Sequence, residues 1–452
     1  MRNVSLKQIA AHLGVACESD LQVSGYQIDS RFAEPGGLFF ALPGARVDGH
    51  SFLADVKQRG GVAAVVSKGY AGPDYGLSLL RVDQVVDSLQ GLARAFLAAG
   101  QPKIIGVTGS MGKTTTKEFI ATLLEKKFKV WKTFSSYNTK LTFPLTLLNR
   151  SGDEEVLVLE MATSEPGDIR RLLEIAAPDI AVLTQIGLAH VALFPEGKEE
   201  IAKEKGSIFS HPKTKTAVFY HGFYQFPEIV AQIAAEKISF SQEDRSADYF
   251  LSPADGKYLL DERGVRVYQF DPPYKQNHVL HNFLAAVSVA RQMKMEWDEI
   301  NAEVPRLTLP KMRFEQFEKE GIVFVNDAYN ANPDSMKAAL SNLPEPKNGG
   351  KRIAVLGTMV ELGTFSPESH LEIGRFAQRY ADHLLTYGEE AAGIAEGFLE
   401  AKKPSEHFSD HRSLVQALKG LLSPGDVVLV KGSRKMQLEK VFELLFESSA
   451  PI

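Results

Sequence analysis

Apolar positions along the chain come in short blocks, and the spacing changes from block to block. "KIIGVT" (103–108), "EVLVLEM" (155–161) and "IAVLTQI" (180–186) are apolar runs too short for helices, so they read as buried strands. Between them lie segments with helical spacing, "KTTTKEFIATLLEKK" and "DIRRLLEIA". "TAVFYH" and "KISFS" continue the strand series, and "KYLLDERGVRVYQF" (257–270) has the look of a hairpin. Alternation of this kind predicts a mostly parallel sheet covered by helices on both faces.

The same reading divides the chain in three. Residues 1–100 form a small α/β unit, with strands in "GGLFFALPG" (36–44) and "GVAAVVS" (61–67) and an amphipathic helix at "SLQGLARAFLAAG" (88–100). The break "AAGQP" (98–102) starts a central unit, 101–309, which closes after the helix "NFLAAVSVARQM" and near "LTLPKMRFE" (307–315). A second α/β series fills 310–452, with strands in "IVFVNDAY", "KRIAVLGTM", "HLLTYG" and "DVVLVKG". The expected class is therefore α/β with three domains. The small N-terminal domain precedes a central P-loop ATPase-like domain, and a Rossmann-like domain ends the chain. Ligands are expected at strand ends and in the clefts between domains.

Composition narrows the setting. A chain of 452 residues with 44% apolar and 24% charged positions has ample length for several cores. The net charge of −5 argues against a nucleic-acid-binding surface. A single cysteine, Cys17, excludes an intramolecular disulfide and a cysteine-based metal cluster. "MRNVSLKQIAAHLGV" reads as a short helix and not a signal peptide, and no apolar run reaches the roughly 18 residues of a membrane helix. A cytoplasmic, monomeric protein without a membrane or nucleic-acid partner is expected.

The chemistry concentrates in "VTGSMGKTTTKEF" (107–119). Glycines let backbone amides approach an anion, and a helix N-terminus adds positive potential. Gly109, Ser110, Gly112 and Thr115 would cradle phosphates, Lys113 would supply a point charge, and Thr114 a hydroxyl for Mg²⁺. Val107 stands where the strict phosphate loop has its first glycine. Glu160 ends one strand and His190 follows another, so either could hold a cation. In "KEEIAKEKGSIF" (198–209), Ile201, Ala202, Ile208 and Phe209 share a helical face. At 100° per residue Lys205 points into the middle of it and Lys203 points away. A lysine in an apolar stripe must snorkel, pair or lose its charge.

"TGSMGKTTTKE", "VLEMATSEPGDI", "LTQIGLAHVALF", "IAKEKGSIF", "HNFLAA", "VNDAYNANPDSMKAAL" and "LVKGSRKM" occur in this order. With "DSRFAEPGGLFFALPGARVDGHSF" (29–52), this set resembles the Mur ligases, the ATP-dependent amide-forming enzymes of peptidoglycan precursor synthesis. The family uses the shorter T-G-x-x-G-K-T loop, which accounts for Val107. "YNANP" and "DGH", with no arginine-bearing D-N-P-R motif, imply the reaction that joins D-alanyl-D-alanine to UDP-N-acetylmuramoyl-tripeptide. The same pieces argue against a folylpolyglutamate synthase and against the diaminopimelate-adding relative. A metal tier argues against a nucleotide-gated switch that makes no bond.

The resemblance implies roles. Lys113, His190 and Lys205 would be catalytic. Asn138, Asn282, Arg313, Asp327, Tyr329 and Asn330 would join the phosphate loop around ATP. Thr114, Glu160, His190 and Lys205 would hold two Mg²⁺ ions, Lys205 as its carbamate. Ser30 and Arg31 would receive the UDP part, and Lys431 and Ser433 would approach the substrate from the last domain. Met111, Ala162, Lys435 and "SSYNTKLTFP" depart from the usual family pattern.

Overall fold

A computed structural model describes residues 3–44, 47–189 and 191–446. The expected His190 therefore lies outside the described residues. The predicted strand and helix series is present, with a nine-stranded central sheet, a six-stranded C-terminal sheet and a four-stranded N-terminal sheet.

The central sheet decides where chemistry can occur. Lys103–Thr108 lies between Val156–Glu160 and Ile180–Leu183, all parallel. The chain leaves Lys103–Thr108 toward one edge, through Val130–Lys132 and Val156–Glu160, then returns to its other side at Ile180–Leu183. That reversal opens a crevice at the C-terminal ends of the three strands. Register brings Val107 opposite Glu160 and Thr108 opposite Leu183, so the phosphate loop and Glu160 emerge at one level. The hairpin Lys257–Glu262/Val265–Phe270 is antiparallel and finishes the far edge.

The C-terminal sheet runs parallel except for its edge strand Glu315–Lys319. Asp327 and Lys431 end neighbouring strands in register. The N-terminal sheet of Gly25–Gln27, Gly37–Phe40, Ala63–Ser67 and Ser78–Val82 is wholly parallel.

Neighbouring units are tied by specific contacts. Asn149 reads both backbone groups of Tyr26, accepting from its N–H at 2.9 Å and donating to its carbonyl at 3.0 Å. Val191, Phe194 and Ile201 from the central unit pack into the apolar core beneath the C-terminal sheet. The Leu188 N–H donates to Asp334 at 3.2 Å and the Ala192 N–H to the Glu361 carbonyl at 3.0 Å. The segment between Ile180–Leu183 and Lys205 is thus held by the C-terminal unit. Among the described residues no helix is long and apolar enough to cross a membrane.

Candidate active site

Lys103–Thr108 delivers the chain to Gly109, which has φ +148°. A Cβ there would strike the Thr184 hydroxyl, and one at Gly112, φ +82°, would strike Asn282. Both glycines are therefore required by close approach as well as by backbone conformation. Gly112 begins the helix Lys113–Leu124, whose first turn carries Lys113 and Thr114. The loop is braced from below: the Ser110 N–H donates to the Gln185 carbonyl at 2.7 Å and the Ser110 hydroxyl to the Gly187 carbonyl at 2.8 Å. Met111 pairs with Gln185 in an antiparallel bridge and its carbonyl accepts from the Thr184 hydroxyl. Its contribution to the loop is made by the backbone.

Lys113 Nζ donates back to the Gly109 carbonyl at 2.7 Å, curling over the loop. Burial pulls its pKa below the ordinary lysine value, against the opposing charge of Glu160, while Arg313 adds to the lowering. Glu160 is buried at 2% exposure. Its Oε1 accepts from Asn138 at 2.7 Å, and its Oε2 makes no hydrogen bond to a described residue. A buried carboxylate oxygen left unsatisfied is costly unless a cation meets it.

Lys205 is 1% exposed on the helix Lys198–Gly206, while Lys203 faces solvent. Burial, and then the nearby Lys113 charge, push its pKa well below the ordinary value; Glu204 opposes this. Its amine is thereby biased toward the neutral form. Among the described residues no three His, Cys, Asp or Glu side chains converge as a metal cluster.

The opposite wall comes from the C-terminal unit. A cleft lies between them, lined by Ser110, Gly112, Thr115 and Asn282 on one side and Arg313, Asp327, Asn330 and Lys431 on the other. Arg313 bridges the walls, donating to the Thr114 hydroxyl at 3.2 Å and lying 4.0 Å over the Tyr329 ring. Lys431 Nζ donates to Asp327 at 2.6 Å and to the Asn330 carbonyl at 3.0 Å.

Family models match over three stretches: "Mur ligase family, catalytic domain" at 22–95, "Mur ligase middle domain" at 107–290 and "Mur ligase, glutamate ligase domain" at 312–434. The UDP-N-acetylmuramoyl-tripeptide–D-alanyl-D-alanine ligase of Bacillus subtilis is 33% identical, covering 94% of each chain. This chain belongs to the Mur ligase family. The Synechocystis relative of the same name is 32% identical over 96% of the chain and 94% of its own. The MurF ligase of Thermotoga maritima in complex with ADP superposes with a TM-score of 0.80 at 32% identity, covering 95% of this chain and 99% of that one. MurF of Acinetobacter baumannii gives 0.86 at 26% identity, covering 99% of each.

In this Mur ligase the structure gathers most of the anticipated residues and leaves a few apart. Ser30 and Arg31 form a turn capped by Asp29, with Arg31 paired to that carboxylate at 2.6 Å and exposed. Neither lines the cleft between the central and C-terminal units. Ser433 is fully buried, accepting from the Val360 N–H at 2.9 Å, which is a turn-fixing bond. Lys431 faces the same cleft wall as Asp327 and Asn330.

Two groups escaped the sequence reading. Lys117 is fully buried beside Glu160, although it lies one turn along an otherwise ordinary helix. The position of Ile120, Ala121 and Leu124 on the same buried helix was the available signal. His278 lines the cleft, its ring edge-on to Phe314 at 5.0 Å, and burial lowers its pKa to about 4. Asp327 opposes that shift, while Lys431 and His281 reinforce it.

The His278 shift has a consequence for stability. Its folded pKa lies below the unfolded value near 6.5, so the unfolded chain binds more protons between the two. Stability therefore rises with pH across the window from about 4 to 6.5 and falls on acidification. Urea unfolding of His278→Gln is expected to show a flatter pH dependence over that window than the parent chain.

Arg313→Ala removes both the bond to Thr114 and the stacking on Tyr329. We expect the KM for ATP to rise on the order of tenfold, the worth of one charged hydrogen bond or cation–π contact. The KM for a UDP-linked peptide should stay within about twofold.

Proposed function

We propose that this Mur ligase joins D-alanyl-D-alanine to UDP-N-acetylmuramoyl-tripeptide, with ATP converted to ADP and phosphate. The observation that carries the reading is that buried Lys113, in the first turn after the glycine loop, feels the charge of Glu160 and in turn acts on buried Lys205, in a chain matching relatives of that name along nearly its whole length. Domain limits at 1–100, 101–309 and 310–452 are part of the proposal.

A peptide carboxylate is a poor electrophile toward an amine. Transfer of the γ-phosphoryl group makes it an acyl phosphate; the dipeptide amine then attacks, and phosphate leaves the tetrahedral intermediate. Both partners of the first step are anionic, so the protein must bring positive charge to them. Lys113 swings from the Gly109 carbonyl to the β- and γ-phosphates, while the loop amides and helix N-terminus hold the remaining oxygens. Gly109, Ser110, Gly112 and Thr115 shape that cradle. Asn138, tied to Glu160, faces the γ-phosphate side. Asn282, Arg313, Asp327, Tyr329 and Asn330 receive the nucleoside, and Ser30 with Arg31 receives the UDP part. Lys431 helps shape the cleft wall, and Ser433 fixes the turn behind it.

Two Mg²⁺ ions would fit this site. The unsatisfied Glu160 oxygen and the Thr114 hydroxyl are hard oxygen donors, and a carbamate on Lys205 would add another. Bound there with His190 as a further ligand, the ions would neutralise charge on the transferring phosphoryl group. The carbamate arises when neutral Nζ attacks CO₂ and a proton is lost, and burial of Lys205 favours the neutral amine. The substrate amine needs no strong base, since an α-amino group has a pKa of about 7.7–8.0. A monomer acting in the cytoplasm completes the reading.

The test is product mass after incubation with ATP and candidate UDP-tripeptides. Phosphate release should require both the UDP-peptide and D-alanyl-D-alanine, with a product heavier by the dipeptide less water. ATP hydrolysis indifferent to either substrate would overturn the reading.

A further inference from the structure

Lys117 is one of the two largest charged side chains wholly removed from solvent, and the phosphoryl-transfer steps above do not use it. Its Nζ donates to the Thr133 carbonyl at 2.7 Å and the Ser135 carbonyl at 3.2 Å. Glu118 Oε1 lies at 3.1 Å, and Glu160 Oε2 at 3.9 Å. The last distance exceeds a hydrogen bond, so the ammonium is anchored to the two carbonyls and paired with Glu118, and it stands off from the Glu160 carboxylate.

The same two carbonyls belong to the loop that frames Glu160 from the other side. The Glu160 N–H donates to the Thr133 hydroxyl at 2.9 Å, and the Thr133 N–H to the Val158 carbonyl at 3.1 Å. Ser135 holds φ +48°, a left-handed conformation that a non-glycine residue adopts only when its surroundings impose it. Beyond it, Asn138 donates to Glu160 Oε1. Lys117 thus fastens the helix of the phosphate loop to the loop 133–138 and the end of Val156–Glu160. One carboxylate oxygen is occupied by Asn138, and the other makes no hydrogen bond to a described residue, with the Lys117 ammonium 3.9 Å from it.

The geometry points to Lys117 as a positioning residue for divalent-cation binding: it holds loop 133–138 so that Glu160 keeps its free oxygen oriented toward the phosphate loop. This rests on the proposed role of Glu160 as a cation ligand. Groups that orient a metal ligand from behind typically influence affinity by about 10–100-fold.

The experiment measures Mn²⁺ binding to the full chain with ADP present, by the electron paramagnetic resonance signal of free Mn²⁺, beside ADP binding without metal. Lys117→Met is expected to weaken Mn²⁺ binding by about tenfold or more and to leave metal-free ADP binding within about twofold. Lys117→Arg, which keeps the charge and the donors, should restore most of the affinity. Should Lys117→Met fail to fold, Lys117→Gln serves in its place, with the same loss of Mn²⁺ affinity expected. Unchanged or tighter Mn²⁺ binding, or a parallel loss of metal-free ADP binding, overturns the proposal. Glu160→Gln separates the two readings: if it too binds Mn²⁺ normally, the cation role of Glu160 itself fails. If only Glu160→Gln weakens binding, Lys117 alone has been misassigned.

Discussion

Lys113→Ala is expected to abolish acyl-phosphate formation while the UDP-linked substrate still binds. The side chain curls over the loop to Gly109 and can be replaced at that carbonyl by water, so the fold should survive its removal. Its charge has no substitute at the phosphates: Arg313 is engaged with Thr114 and Tyr329. Loss of one such electrostatic contact in a water-poor site costs on the order of 10²–10³ in kcat. Trapping the acyl phosphate with hydroxylamine, beside calorimetric titration of the UDP-peptide, checks both halves. An alanine variant that still makes amide at the parent rate would refute the phosphate-loop assignment.

Lys205→Ala should lose most ligase activity, by about 100-fold, and added acetate or formate should restore part of it. The restoration is the informative half. A short carboxylate can occupy the volume vacated by the lysine and offer the oxygens that a carbamate would have supplied. A lysine acting only as a buried cation would be rescued by amines instead. ¹³C-labelled bicarbonate gives an independent readout: the parent chain should show a carbamate carbon signal that the alanine variant lacks. Normal turnover by Lys205→Ala would sink the carbamate role.

Much of this site could be read along the chain, and the reasons differ by residue. The phosphate loop is local: strand, glycines, lysine and helix are contiguous, so Gly109, Gly112, Lys113 and Thr114 needed no tertiary information. Lys205 was legible because helical periodicity alone places it on the buried face, where the structure also puts it at 1% exposure. The helix of Lys205 ends sooner than its apolar pattern suggests, passing into a 3₁₀ turn at Ser207–Phe209. The edge strands Val130–Lys132 and Glu315–Lys319 went unpredicted because the first is only three residues long and the second, "EQFEK", carries a single apolar residue, so neither shows the apolar run that marked the inner strands. Ser433 drew attention through its motif, yet its hydroxyl is spent on the Val360 N–H.

Lys117 shows the limit most clearly. Helical spacing with Ile120, Ala121 and Leu124 could mark Lys117 as facing inward, but nothing along the helix names its partners, because the Thr133 and Ser135 carbonyls belong to another element. Likewise no spacing reveals that Arg313 meets Thr114 across 199 positions or that Lys431 meets Asp327 across 104. Periodicity and contiguous motifs were enough to mark out the three α/β series, the glycine loop before Lys113–Leu124 and the family. Tertiary structure alone decided the register that sets Glu160 level with the loop, the pairing of charges across the cleft, and which lysines lose their water. Those outcomes depend on distances between elements, and burial and electrostatics follow distance in space.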